Sequence, residues 1–355
     1  NAEFQKLLTT SSEAEWTLNT KIIEGDTITS KISEEASEAM SKFTGSKKNI
    51  DKAKEYLLKK EKLSPLQVKQ LEVILYMAGG SPEIAADIIK ERIKANTEQT
   101  KKLYGYTYTL NGKEITTNDI DNILASSANL TERLNAWNAS KEVGKELKNG
   151  LEKLRTLRNK SVQPLGYSDY FHYQVSEYEM NADEMMTTCK NMITELWPLY
   201  RELHTWARYE LAKKYNQKVP DYLPAHWLPN RWGQEWADMV EVEGFNVDEA
   251  LKTKSEKWIV EQAEDFYVSL GFEKLPSSFY EKSSLYPLPP NANYKKNNHA
   301  SAWHMDNDKD VRSLMSVEPN TRWWGTTLHE LGHIYYYISY SNPEVPIILR
   351  AGANR

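Results

Sequence analysis

The 355 residues suffice for one large domain or two ordinary ones, and 40% hydrophobic with 27% charged residues is an ordinary globular balance. A net charge of −5 argues against a nucleic-acid partner, because duplex binders carry a basic stripe, and no apolar run reaches the roughly 18 residues of a transmembrane segment. Cys189 is the only cysteine, so no intrachain disulfide can form and the fold must stand on its core.

The dominant local signal is helical. Ser64-Pro65 pairs a cap residue with proline at the first helical position, and Gly79-Gly80 stops the segment, so 64–80 reads as a helix. Ser81-Pro82-Glu83 opens another, with Ile84, Ile88 and Ile89 on one side. Tyr106 to Leu110 and Lys113 to Ile115 flank Asn111-Gly112, a hairpin turn signal, and form the one persuasive strand pair. Residues 131–158 and 184–215 carry apolar side chains at helical steps, the latter through Met185, Cys189, Met192, Leu196, Leu199, Leu203 and Trp206, with Pro198 expected to bend it. In 254–270, Trp258, Ile259, Ala263, Phe266 and Leu270 share a face and Gly271 caps the end. Pro276 to about Asp310 reads as irregular. The fold class is therefore mainly α with a small β element, and no linker divides the chain.

The segment Thr327-Leu-His329-Glu330-Leu-Gly-His333 carries chemistry. On a helix, residues four apart lie one turn above each other on one face, so both imidazoles can reach one zinc ion. Glu330 follows the first histidine and is turned far enough to take a proton from a water that the ion polarises, without ligating the metal. Leu328, Leu331, Ile334 and Ile338 supply the buried stripe of such a helix, and Pro343 follows its end. A third ligand is needed. Glu344 is the one carboxylate after His333, but its loop leaves the helix at once and it reads as a surface residue. No third histidine stands in metzincin spacing. His172, His204 and His226 stand apart and read as structural.

Four stretches, taken in order, resemble the peptidyl-dipeptidase A, or angiotensin-converting enzyme, family of gluzincins. They are Leu223-Pro-Ala-His226 with Trp232-Gly-Gln-Glu-Trp236; Ala263-Glu-Asp-Phe-Tyr-Val-Ser-Leu-Gly271; His299-Ala-Ser-Ala-Trp303; and His329-Glu-Leu-Gly-His333-Ile-Tyr-Tyr followed by Leu349-Arg-Ala-Gly-Ala-Asn354. The resemblance implies a helical peptidase domain around a deep central cleft. Residues 1–355 would be one incomplete domain, with a helical lid in about 1–100 and the first half of the cleft with the zinc helix in 101–355. It implies zinc as cofactor, chloride as a further ion, oligopeptide substrates and release of C-terminal dipeptides. Gln234 would bind the substrate's terminal carboxylate, His299 a peptide carbonyl, and Ala300 the extended substrate backbone.

By the family pattern, a glutamate about four residues past Arg355 would be the third ligand, so the missing C-terminal part of the same domain is an expected partner. A periplasmic or secreted location is expected as well. The chain departs from the family pattern at several places. Asn298 and Ser316 stand near the places of family cysteines, His304 replaces an aspartate, and Leu328 precedes the motif where histidine is common. Other gluzincin specificities, endopeptidase or carboxypeptidase, and a non-catalytic peptide-binding protein on the same fold remain alternatives.

Overall fold

The computed structural model describes residues 1–178, 180–233, 236 and 247–350. Helices α1 (Ala2–Thr20), α2 (Ile28–Thr44), α3 (Lys47–Leu57), α4 (Pro65–Gly79) and α5 (Ala86–Tyr104) open the chain. A hairpin of β1 (Tyr108–Leu110) and β2 (Lys113–Ile115) leads to α6 (Thr117–Ser126), α7 (Leu130–Lys141), α8 (Val143–Val162), α9 (Tyr170–Val175) and α10 (Ala182–Lys214). Then follow α11 (Val247–Leu251), α12 (Glu256–Ser269) and α13 (Ser277–Lys282), a second hairpin of β3 (Ser301–His304) and β4 (Val311–Leu314), α14 (Thr321–Tyr340) and α15 (Ile347–Arg350). The architecture is mainly α. No described helix is long and apolar enough to cross a membrane.

Where the caps are written in the sequence, the helices begin as expected. Ser64 accepts from the Gln67 amide while the Gln67 side chain accepts from the Ser64 amide, a reciprocal box ahead of Pro65. Asn111 and Gly112 take positive φ of 53° and 77°, which the tight turn between β1 and β2 demands.

The chain separates into two compact units. The first comprises Asn1–Gly105, Glu152–Tyr170 and Phe245–Arg355. Its main core joins Ile259, Val260 and Ala263 of α12 to Leu331, Ile334 and Tyr335 of α14, with Phe279, Met315 and Val317 filling in. Ile259, Val260, Leu331 and Ile334 are completely buried, each stabilising the fold by roughly 1.5–3 kcal/mol relative to exposure.

β3 and α13 lie in the stretch from Pro276 to about Asp310 that was expected to be irregular, and β4 follows it directly. The hairpin pairs Ala302 with Ser313 and Trp303 with Arg312. Alternation then sorts the side chains. Trp303 and Leu314 meet Trp16 of α1, and Arg312 lies over the Trp16 ring and pairs with Glu13. On the opposite face, Ala302, His304 and Val311 lie against α14 and its core. The six connecting residues turn at Asn307 (φ 54°), with Asp306 Oδ1 accepting from the amides of Asp308 and Asp310.

The second unit comprises Tyr106–Leu151 and Phe171–Gly244. Asp121 of α6 holds Arg231 through two contacts of 2.7 and 3.0 Å, both side chains being largely buried. Arg133 of α7, itself buried, donates to the carbonyls of Ser127, His226, Trp227 and Leu228, which fixes the segment leading toward Trp232.

One helical reading changes, and a second holds with little of its apolar face covered. The period over 131–158 is split at Glu142, where bonds tighten to three-residue steps (Glu142 to Ala139, Lys145 to Glu142) just before the weak helix formers Val143 and Gly144. The apolar rhythm over 184–215 belongs to one helix that continues through Pro198, yet Met192, Leu196, Leu199 and Leu203 are exposed. Within this helix burial is confined to Ala207, Leu211 and Ala212 near its C-terminus. Periodicity reports which side chains share a face, not whether anything covers that face.

Candidate metal centre

α14 carries the His-Glu-x-x-His motif. Asn320 starts it, its side chain accepting from the Trp323 amide at 2.9 Å. Leu331 and Ile334 are buried as expected, Leu328 is half-buried, and Ile338, expected to belong to the same buried stripe, is 39% exposed because it lies beyond the core that α12 covers. The helix holds His329 and His333 with rings 4.7 Å apart at 84°, and their Nε2 atoms are 3.1 Å apart. Two nitrogens each about 2.0–2.1 Å from a tetrahedral zinc would lie about 3.3 Å from each other. The pair thus fits a shared ion, although the same spacing also lets one imidazole donate to the other. Burial, and then the neighbouring His329, lower the His333 pKa, which favours the neutral ring that ligates metals.

Glu330 is buried, and burial raises its carboxyl to about 7. No hydrogen bond to this carboxylate is made among the described residues. A carboxylate with a pKa near neutrality can accept and return a proton at working pH.

Aromatic side chains brace this helix, and the sequence reading did not single them out. The Tyr267 hydroxyl of α12 donates to the Leu328 carbonyl at 2.8 Å, and its ring stacks on Tyr335 at 4.7 Å. Gly332 makes this possible, since a Cβ there would lie 2.7 Å from the Tyr267 oxygen. Farther along, Tyr337 lies between His333 (6.3 Å, 27°) and His304 (5.1 Å, 5°). His304 is in turn contacted by Tyr340, Ser341 and the Asp308 carbonyl. The glycine inside the motif was the visible signal for Tyr267. The Tyr337–His304 stack needs the hairpin register, which was not foreseen.

His299 is exposed, with its amide donating to Asn297 Oδ1 and its Nδ1 2.9 Å from the Ala300 carbonyl. Ala300 leads directly into β3. The outer side of β4 bridges to Ser284, while the other edge of β3 has no strand partner among the described residues. Upstream, Asn297 is tied to Asn19 by both backbone and side chain. Lys296 is buried, with Nζ donating to the carbonyls of Tyr286 and Met315, each at 2.5 Å, and to Ser284 Oγ at 3.1 Å.

Glu344 is exposed, as read from its loop. Gln234 and the Gly352-Ala353-Asn354 stretch lie outside the described residues. Among the described residues no cluster of three metal-ligating side chains occurs. The donor set seen here is therefore two imidazoles with an adjacent carboxylate, which suits zinc once a further ligand joins.

A mainly helical domain with this motif on a long core helix has the form of a metallopeptidase domain. The chain belongs to the angiotensin-converting enzyme family of M2 peptidases, whose model matches residues 1–355. It is 28% identical over 374 residues to an angiotensin-converting enzyme of Theromyzon tessulatum, covering 100% of this chain and 58% of that protein. Against the angiotensin-converting enzymes of Rattus norvegicus and Mesocricetus auratus it is 30% and 32% identical over 66% of this chain and 18% of theirs. The chain thus spans a little over half the length of the first of these relatives and under a fifth of the other two.

Proposed function

We propose that this chain carries the zinc-binding and proton-transfer groups of a peptidyl-dipeptidase that releases C-terminal dipeptides from oligopeptides outside the cytoplasm. The observation that carries the reading is the pair of Nε2 atoms 3.1 Å apart on one helix face with the buried Glu330 beside them. His329 and His333 would be zinc ligands, joined by a third from outside the described residues. Bound there, zinc supplies Lewis-acid polarisation of water and of the scissile carbonyl. Glu330 would take the proton of the attacking water and pass it to the leaving amine.

The edge of β3 that has no strand partner among the described residues supports a substrate laid alongside it, pairing through the Ala300 main chain, with His299 donating to a peptide carbonyl. Main-chain pairing gives affinity with little sequence preference. Gln234 would hold the terminal carboxylate, and chloride dependence belongs to the same reading.

The test uses the full natural polypeptide and an N-terminally blocked hexapeptide. Dipeptide release by the wild type, with a Glu330→Ala variant that keeps its zinc and loses hydrolysis, is the expected result. Release of single residues, or internal cuts, would replace the dipeptidase assignment with a carboxypeptidase or an endopeptidase. Hydrolysis retained by the variant would remove Glu330 from its role.

A further inference from the structure

Within the first unit, α1 to α4 and α15 line a cavity of about 250 Å³, open to solvent on one side, that the metal centre does not use. Its wall is apolar: Phe4 of α1, Phe43 of α2, Tyr56 of α3, and Leu71, Ile74 and Met77 of α4. Ile348 of α15 completes it. Most polar groups at its rim are already engaged. Asn1 Nδ2 donates to Gln70 Oε1, Asn1 Oδ1 accepts from the Ile348 amide, Asn49 Nδ2 donates to the Phe43 carbonyl, and Thr44 Oγ1 to the Met40 carbonyl. Lys52 is the one charged side chain among the lining residues. It forms no ion pair or hydrogen bond with the described residues and is exposed at the rim.

A largely apolar cavity with one lysine side chain at its mouth and no carboxylate in its lining suits an amphipathic anion. An engineered apolar cavity of about 150 Å³ is known to take benzene, so a space of this size has room for a chain of roughly eight carbons. Few convergent polar groups beside an apolar wall are the general pattern of small-molecule sites. We infer that this cavity binds a medium-chain carboxylate, its aliphatic chain among Phe4, Phe43, Leu71 and Met77 and its carboxylate at the Lys52 ammonium. The proposal is independent of the peptidase reading. An occupant would touch four helices of the N-terminal region together with α15, which follows the motif-bearing helix.

The experiment titrates the full natural polypeptide, labelled with ¹³C-methyl methionine, with octanoate, octanol and acetate. Methyl spectra locate binding at Met77, whose resonance is assigned from Met77→Leu, and calorimetry gives the Kd values. Octanoate should shift the Met77 methyl saturably and bind more tightly than octanol, and acetate should not bind. Lys52→Met, a change at an exposed position, should weaken octanoate about tenfold and leave octanol unchanged, since one charge-assisted contact is worth about that much. The proposal is overturned if octanoate leaves Met77 unshifted, if octanol binds as tightly as octanoate, or if Lys52→Met has no effect on octanoate affinity.

Discussion

Gly332→Ala probes the contact that seats α14 on α12. The introduced methyl would stand 2.7 Å from the Tyr267 oxygen, well inside van der Waals contact. That oxygen is the donor to the Leu328 carbonyl, and the ring is stacked on Tyr335, so it cannot yield without losing both contacts. Alanine in a helix interior gains about 1 kcal/mol over glycine. Against this stand about 1 kcal/mol for the hydrogen bond and about 1–3 kcal/mol for overpacking. The net expectation is a loss of about 1–3 kcal/mol. Removing the oxygen reverses the sign. In a Tyr267→Phe background the nearest remaining ring carbon is 3.7 Å from the new Cβ, an ordinary contact. Gly332→Ala should then be neutral, or stabilising by up to about 1 kcal/mol. Urea unfolding of the four proteins gives the coupling energy directly if the m-values agree. An equal cost of Gly332→Ala in both backgrounds would refute the assignment of the clash to the hydroxyl.

Three other outcomes are expected. Burial holds Lys296 at about 8. Between that value and the ordinary ~10.4, the unfolded chain keeps a proton that the folded chain has released, so stability rises with pH in this window. Wild type should gain up to about 3 kcal/mol over Lys296→Met between pH 7.5 and 10.5 in urea titrations; parallel curves would contradict it. Asp121→Ala strands the buried Arg231 guanidinium and should cost about 3–5 kcal/mol, read as a lower urea midpoint. Asn320→Ala removes the cap of the motif-bearing helix and should cost about 0.5–2 kcal/mol, whereas Asn320→Asp should preserve most of that stability.

Legibility followed the range of the forces involved. The start of α4 and the β1–β2 turn were readable because Ser64-Pro65 and Asn111-Gly112 act on their own backbone. The seat of α14 was readable through Leu331 and Ile334, whose spacing matches their complete burial. The split at Glu142 was not, because a two-residue shift to tighter bonds leaves the apolar rhythm almost intact. Nor was the exposure of Leu196 and Leu199, since period alone does not say what faces a helix. The β3–β4 hairpin escaped because Ser301-Ala-Trp-His304 has no polar–apolar alternation: Ala302 and Trp303 are both apolar and serve opposite faces. At the candidate site, the approach of His329 to His333 follows from helix geometry. Lys296 and Tyr267 act across long sequence separations, through the Met315 and Leu328 carbonyls, which no local pattern announces.

The hairpin between α1 and α14 constrains chain length more severely than residue identity. Trp303 faces Trp16 while its neighbours Ala302 and His304 face α14. Inserting or deleting one residue ahead of Trp303 would turn the indole toward Tyr337 and offer α1 an alanine or an imidazole instead. Substitutions here can be absorbed one at a time, but a frame change within the strand exchanges both interfaces together. Natural variation in length should therefore collect in the six-residue connection after His304 and spare the four residues before it.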